Sequence, residues 1–99
     1  MTIHDVLFAT DFSDASRLAG ETAAEFARHF GARLHVLHVV PPVIDPTPVP
    51  AALRAVAAEL EVAKGLSIVT AIASGRVARQ IVDYARSPPR YPGHRRRPP

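Results

Sequence analysis

The sequence predicts an α/β fold in which three strand–helix units, (βα)₃, build a parallel sheet. Apolar runs of strand length alternate with segments in which apolar residues recur at three- and four-residue spacing. The first run, VLFA at residues 6–9, is continuously apolar, as in strands that are covered on both faces. Right-handed crossovers determine the faces on which the helices lie. We expect the strand order 3-2-1.

The first unit comprises a strand over residues 3–9 and a helix that runs to about Phe30. Ser13 is predicted to be the N-cap of this helix, because a serine hydroxyl accepts a hydrogen bond from the first helical turn. Gly31 stands where a left-handed C-cap is required. The apolar stripe of the helix is predicted to consist of Ala15, Ala19, Ala23, Phe26, Ala27 and Phe30.

The second and third units follow the same pattern. The second strand covers residues 33–40 and ends at two prolines, and residues 41–50 form a stiff loop with five prolines. A helix is predicted over residues 51–64, with an inner face made of Leu53, Val56, Ala57 and Leu60. The third strand covers residues 66–73, and Gly75 leads into a short helix with Val77, Ile81 and Ala85 in register.

The candidate site lies at the end of the first strand, where Thr10, Asp11 and Ser13 follow the apolar run. Parallel α/β sheets bind ligands where a strand ends and the next helix begins. Asp11 has no nucleophile or second base beside it in the sequence, so we expect it to order the turn or to contact a ligand hydroxyl. The sequence therefore predicts that this domain is not an enzyme.

Composition gives few functional signals. The net charge is +3, but residues 1–87 carry eight basic and nine acidic residues, and the excess comes from four arginines at positions 90 and 95–97. Cysteine is absent, and no leader or apolar span is evident, so a soluble cytoplasmic protein without a membrane partner is expected. His35 and His38 lie three apart on a strand and point to opposite faces, so they cannot chelate one metal ion together. Each is predicted to be a packed or edge histidine, and no metal site is predicted.

Three motifs, taken in order and spacing, resemble the N-terminal half of the universal stress protein family. They are VLFATDFS at residues 6–13, GARLHVLHVV at residues 31–40, and the Ser74–Gly75 turn ahead of Ile81. The resemblance covers about residues 3–86. It implies a Rossmann-like, adenine nucleotide alpha hydrolase-like fold. The sheet would be an incomplete doubly wound parallel sheet that lacks the family's fourth and fifth strands. The resemblance thus implies a partial domain over residues 1–87.

The resemblance also implies a ligand, because a subset of the family binds ATP or AMP. Thr10 and Asp11 match positions that flank the adenine and ribose, together with Ala9 at the strand end, and Val39 matches a second-strand valine near the adenine. In that subset the triphosphate is held by a GxxG loop, followed nine residues later by Gly and Ser or Thr, and this sequence has no such motif. Polyphosphate binding requires clustered backbone N–H groups. We therefore expect adenine-nucleotide binding to be weak or lost.

Residues 88–99 contain five prolines and four arginines and are predicted to form a disordered tail. If the codons of residues 90–95 are read one nucleotide later, they permit Asp-Ile-Leu-Val-Ile-Gly, which resembles a fourth strand of the family. This favours a frameshift or truncation near Ser87. The alternative is a basic arm for nucleic acid, which is disfavoured because Tyr91 is its one aromatic residue.

Three hypotheses result. The first is a non-catalytic universal stress protein domain of the stress response, with weak or lost ATP or AMP binding. The second is an interaction module in which the exposed edge of the first strand pairs with a second copy, as a homodimer, or with a full-length relative. The third is a non-functional truncated gene product.

Overall fold

The structure, a computed structural model, describes residues 2–87, except for the side chains of residues 62–64. Its elements are β1 (Asp5–Ala9), α1 (Asp14–Phe30), β2 (Arg33–Val40), α2 (Val49–Lys64), β3 (Ile68–Ser74) and α3 (Val77–Arg86). The predicted order of three βα units is confirmed. The predicted tail at residues 88–99 lies outside the described residues.

The three strands form one parallel sheet in the order β1-β2-β3, which confirms the predicted topology. Ala9 pairs with Leu37, and Val40 pairs with Ser74, so the strands end at a common carboxyl edge. On one face Phe8, Leu34 and Val36 pack against α1 and α2. On the other face Leu37, Val39, Ala71 and Ala73 pack against Tyr84 of α3. These three layers explain why β2 is buried along almost its whole length.

Most element ends lie within two residues of their predicted positions. β2 is as predicted, because Gly31 ends α1 with a φ of 64° and Pro41 follows the last ladder residue. β1 begins two residues later than predicted, and β3 is displaced by two residues at its start. α2 begins at Val49, so Pro50, the last proline of the predicted loop, belongs to the first helical turn. Proline is tolerated there because an N–H group in the first turn has no hydrogen-bond acceptor within the helix.

The predicted apolar stripe of α1 is correct in part. Ala27 is buried, and Ala23 and Phe30 pack against the core. Ala15, Ala19 and Phe26 are exposed, and Gly20 and Ala24 are buried instead. The reason is the close approach of the helix to the sheet: a Cβ atom on Gly20 would lie 2.8 Å from Cε2 of Phe8. The smallest residues therefore face the strands, and the larger Phe26 is left on the outer surface. The inner face of α2 agrees with the prediction, since Leu53, Ala57 and Leu60 are buried and Val56 is half-buried.

A buried polar network joins β1, β2 and α3 far from the carboxyl edge. Nε2 of His35 lies 2.7 Å from Oδ1 of Asp5, and Nδ1 lies 2.7 Å from Oη of Tyr84. A carboxylate only accepts, so Nε2 donates to Asp5 and the tyrosine hydroxyl donates to Nδ1. The hydrogen bond from His35 is the main cause that lowers the pKa of Asp5, and Arg33 at 3.0 Å adds to it. His35 is thus a packed histidine, as predicted.

One side of β1 is open within residues 2–87, where the strand pairs with β2 alone. The N–H of Thr10 and the C=O of His4 point toward β2. Because these groups alternate along a strand, the N–H and C=O groups of Asp5, Leu7 and Ala9 point to the open side. β1 is therefore the edge strand that the sequence predicted.

Candidate functional site

The turn between β1 and α1 forms the candidate site at the carboxyl edge of the sheet. Its first residue, Thr10, is buried, and its N–H extends the ladder by donating to the carbonyl of Leu37 at 2.9 Å. The Thr10 hydroxyl accepts a hydrogen bond from the N–H of Phe12 at 3.0 Å. Phe12 has a φ of 66°, a left-handed conformation that is costly for a side chain of this size. The turn is therefore held in a strained shape by specific contacts.

Asp11 occupies the centre of this turn, and its carboxylate is fixed by the start of α1. Oδ1 accepts hydrogen bonds from the N–H of Ser13 at 2.9 Å and from the hydroxyl of Ser16 at 2.6 Å. Hydrogen bonds from Ser13 and Ser16 lower the pKa of Asp11 to about 2. The exposed carboxylate is thus ionised at neutral pH and is a weak base. It is suited to accepting hydrogen bonds from a ligand rather than to taking up a proton.

Ser13 is the N-cap of α1, as predicted, and its hydroxyl accepts from the N–H of Ser16 at 3.1 Å. Ser16 therefore links the cap to Asp11, since its own hydroxyl also accepts from the N–H of Asp11 at 3.3 Å. The carboxylate position is set by the helix, which makes it a rigid feature of the fold.

His38 supports the turn from the neighbouring strand. Its Nδ1 donates to the carbonyl oxygen of Thr10 at 2.7 Å, because a carbonyl oxygen only accepts. Its ring also contacts the ring of Phe12, with the centroids 4.5 Å apart. Sequence reasoning treated His38 as a packed or edge histidine and did not identify Phe12. The positive φ of Phe12 has no signal in the sequence, because the residue type itself disfavours that conformation.

The structure brings the four predicted binding residues to one edge of the sheet, in different surroundings. Ala9 and Asp11 are exposed, whereas Thr10 and Val39 are buried. Val39 packs within the cluster on the α3 face of the sheet, so little of its side chain is accessible to a ligand. The direct contacts of a ligand with these residues stay predictions.

The third strand contributes a second turn to the same edge. Gly75 follows β3 with a φ of 129°, and its N–H donates to the carbonyl of Val40 at 3.1 Å. A Cβ atom there would lie 3.2 Å from Nε2 of Gln80, so the position favours glycine on both counts. This agrees with the turn predicted at Gly75 between the third strand and the last helix. Residues 2–87 contain no group of three or more His, Cys, Asp or Glu side chains that is arranged to hold a metal ion.

Comparisons with known proteins identify the class of domain. The sequence model of the Universal stress protein family matches residues 2–88. Among the three helices of the described region, none is long and apolar enough to cross a membrane. No curated protein matches the sequence.

Solved structures share the fold. A universal stress protein in complex with cAMP has a TM-score of 0.77 at 24% identity, with 87% of this chain and 66% of that chain covered. Protein Rv1636 from Mycobacterium tuberculosis H37Rv has a TM-score of 0.73 at 22% identity, with coverages of 87% and 64%. UspA from Lactobacillus plantarum has a TM-score of 0.62 at 25% identity, with coverages of 87% and 70%. The present chain thus spans slightly less than two thirds of the length of the first two of these proteins.

The fold and the site define a parallel α/β domain of the Rossmann-like class with a fixed carboxylate at the end of its first strand. The chain belongs to the universal stress protein family, whose model covers most of its length.

Proposed function

We propose that this chain is a non-catalytic universal stress protein domain of the stress response that binds the adenosine part of an adenine nucleotide weakly. The observation that carries the proposal is the ionised Asp11 carboxylate, held by Ser13 and Ser16 at the carboxyl edge. Ribose hydroxyl groups are donors of the kind that such a carboxylate accepts. The cAMP named for one solved structure is an adenine nucleotide, which supports the same ligand class here.

The described residues provide less support for binding of the phosphate part of a nucleotide. The N-terminus of α1, which would otherwise attract an anion, already carries the carboxylates of Asp11 and Asp14. Like charges at that point disfavour a polyphosphate. The sequence also lacks the GxxG motif of the nucleotide-binding subset. ATP is therefore expected to bind no more tightly than AMP or adenosine.

Asp11 has features of a ligand-contacting residue and not of a general base. A pKa of about 2 leaves too little basicity to remove a proton from a hydroxyl group at neutral pH. The hydrogen bonds from the N–H of Ser13 and the hydroxyl of Ser16 both go to Oδ1, and Asp11 is exposed. The proposal assigns the ribose contact to Oδ2.

Calorimetry with adenosine, 2′-deoxyadenosine, AMP and ATP tests the proposal. We expect dissociation constants weaker than ~10 μM for all four, with 2′-deoxyadenosine or the Asp11→Asn variant about threefold to tenfold weaker still. Asparagine retains an oxygen that can accept from Ser13 and Ser16, so this variant keeps the turn. Asp14→Asn is the matched control and should change the affinity by less than about twofold. Absence of binding, or ATP bound tighter than ~10 μM, contradicts the proposal.

The open edge of β1 favours a second candidate, a module that pairs with a second copy of this chain or with a full-length relative. Edge strands with unpaired backbone groups readily accept another strand. Pairing along β1 would give the backbone groups on the open side of this strand hydrogen-bond partners. The cytoplasmic location predicted from the sequence stays a prediction.

A further inference from the structure

A groove of about 650 Å³ lies between α1 and α2 on the Phe8 face of the sheet. Its apolar part is formed by Phe8 from the sheet, Gly20 from α1, and Ala52, Ala55, Val56 and Leu60 from α2. This volume falls within the range of small-molecule sites, which are typically ~300–1,000 Å³. The groove therefore has the size and the apolar lining of a ligand site.

The groove lies beside the carboxyl-edge site and shares part of the β1–α1 turn with it. Thr10, Phe12 and Ser13 line it at one end, but Ala9, Asp11 and Val39 do not. It opens because the facing positions on the helices carry small residues, with glycine at position 20 and alanine at positions 52 and 55. The helices are joined there by an ion pair between Arg17 and Glu59 at 3.2 Å.

The charges that line the groove are mainly negative. Asp14, Glu21 and Glu59 contribute three carboxylates, and Arg17 contributes the one positive charge among the lining residues. Because Arg17 already pairs with Glu59, the charges of Asp14 and Glu21 are not balanced by a lining side chain. Asp14 also faces the N-terminus of α1, which partly balances it. Glu21 is thus the best-placed carboxylate for a cationic ligand.

We propose that this groove binds a small organic cation, namely an ammonium group that carries an apolar body. The apolar body lies against Ala52, Ala55 and Val56, the apolar lining residues that keep accessible surface, and their burial provides the main attraction. The ammonium group lies near Glu21 and Asp14, where opposite charge selects it over a neutral or anionic ligand. This inference does not depend on nucleotide binding, because the groove and the Asp11 carboxylate are different surfaces.

Three probes of equal chain length test the charge preference: hexylammonium, hexanol and hexanoate. Titration of the ¹⁵N-labelled chain, followed by ¹H–¹⁵N NMR, should show shifts at residues of α1 and α2 that line the groove. We expect hexylammonium to bind about threefold to fivefold tighter than hexanol, as for an exposed ion pair, and hexanoate to bind weaker than hexanol. The preference should decrease as salt is added.

Glu21→Gln should reduce the preference for hexylammonium over hexanol to near unity while leaving hexanol binding unchanged. Glu25→Gln, on the same helix but outside the groove lining, is the matched control and should retain the full preference. Ala55→Trp should abolish binding of all three probes, because the larger side chain occupies the groove. Both glutamate positions are exposed, so these variants are expected to fold.

The proposal is overturned if hexanoate or hexanol binds as tightly as hexylammonium, or if Glu25→Gln weakens binding as much as Glu21→Gln does. It is also overturned if groove residues shift with protein concentration and not with added amine, since the occupant would then be a second copy of the chain.

Discussion

At the scale of single residues, the site depends on a few short hydrogen bonds around one carboxylate. The position of Asp11 after an apolar strand predicts it as a binding residue, and in the structure Ser13 and Ser16 both donate to its carboxylate. Its neighbour Phe12 was missed, although its strained φ of 66° shapes the turn. Residue type and order predict which group is at the site, whereas backbone strain depends on contacts with His38 on another strand.

The low pKa of Asp11 predicts a specific pH dependence. A folded-state pKa of about 2, below the ordinary value of 3.8, means that the carboxylate stabilises the fold above pH ~4 and that this contribution is lost as the pH falls toward 2. Ser16→Ala removes one donor, so the pKa of Asp11 should rise but stay below the ordinary value, because the Ser13 bonds remain. The ¹³C shift of the Asp11 carboxyl group, followed from about pH 1.5 to 6, measures this.

Ser67→Ala is the control for that titration, since Ser67 is an exposed serine outside the turn and should leave the pKa of Asp11 unchanged. An unaltered Asp11 titration in Ser16→Ala would mean that the hydroxyl does not hold the carboxylate in solution.

At the scale of elements, the sequence predicts the ends of the helices and strands better than it predicts which side of a helix is buried. β2 was correct at both ends because a glycine cap precedes it and proline follows it, and these residues act locally. The predicted face of α1 is only partly correct, because the buried side is selected by the strand beneath it, where the bulky Phe8 requires small residues opposite. Helical spacing alone gives several apolar stripes, and only the packing partner decides between them.

The contact of α1 with β1 makes Gly20→Ala a test of this packing. Alanine is the better helix former by ~1 kcal/mol, yet its Cβ atom would lie 2.8 Å from Cε2 of the buried Phe8. We expect overpacking to outweigh the propensity gain, with a net destabilisation of about 1–2 kcal/mol in urea unfolding. Phe8→Leu in the same chain should restore part of the loss, because the smaller side chain leaves room for the methyl group.

Gly31→Ala tests the alternative explanation, namely that replacing any glycine of α1 or its C-cap destabilises the fold through the backbone conformation. Nothing lies within 4 Å of its Cβ position, but its φ is 64°, so its cost should not be relieved by Phe8→Leu. If the shorter side chain at position 8 has no effect on the Gly20→Ala loss, steric contact with Phe8 is not its cause.

At the scale of the whole molecule, the layers and the strand order were predictable for two reasons. The right-handed crossover determines the face on which each connecting helix lies, and consecutive strands of a chain are commonly neighbours in the sheet. The site follows from the topology, since parallel strands bring Thr10, Val39 and Gly75 to one edge. The groove between α1 and α2 was not predictable. It depends on how far apart two helices lie over the sheet, and small residues at positions 20, 52 and 55 are equally compatible with tight packing.

The open side of β1 gives a prediction for the molecule as a whole, namely self-association through the edge. The N–H of Ala9 points to the open side and Ala9 is itself exposed, so Ala9→Pro removes a donor from the edge without breaking the ladder to β2. Sedimentation velocity at tens of micromolar should show a dimer for the unaltered chain. In Ala9→Pro its dissociation constant should rise about tenfold or more. Ala9→Ser keeps the N–H and should dimerise like the unaltered chain. A monomer at these concentrations, or a dimer that tolerates proline at position 9, means that this edge does not mediate pairing.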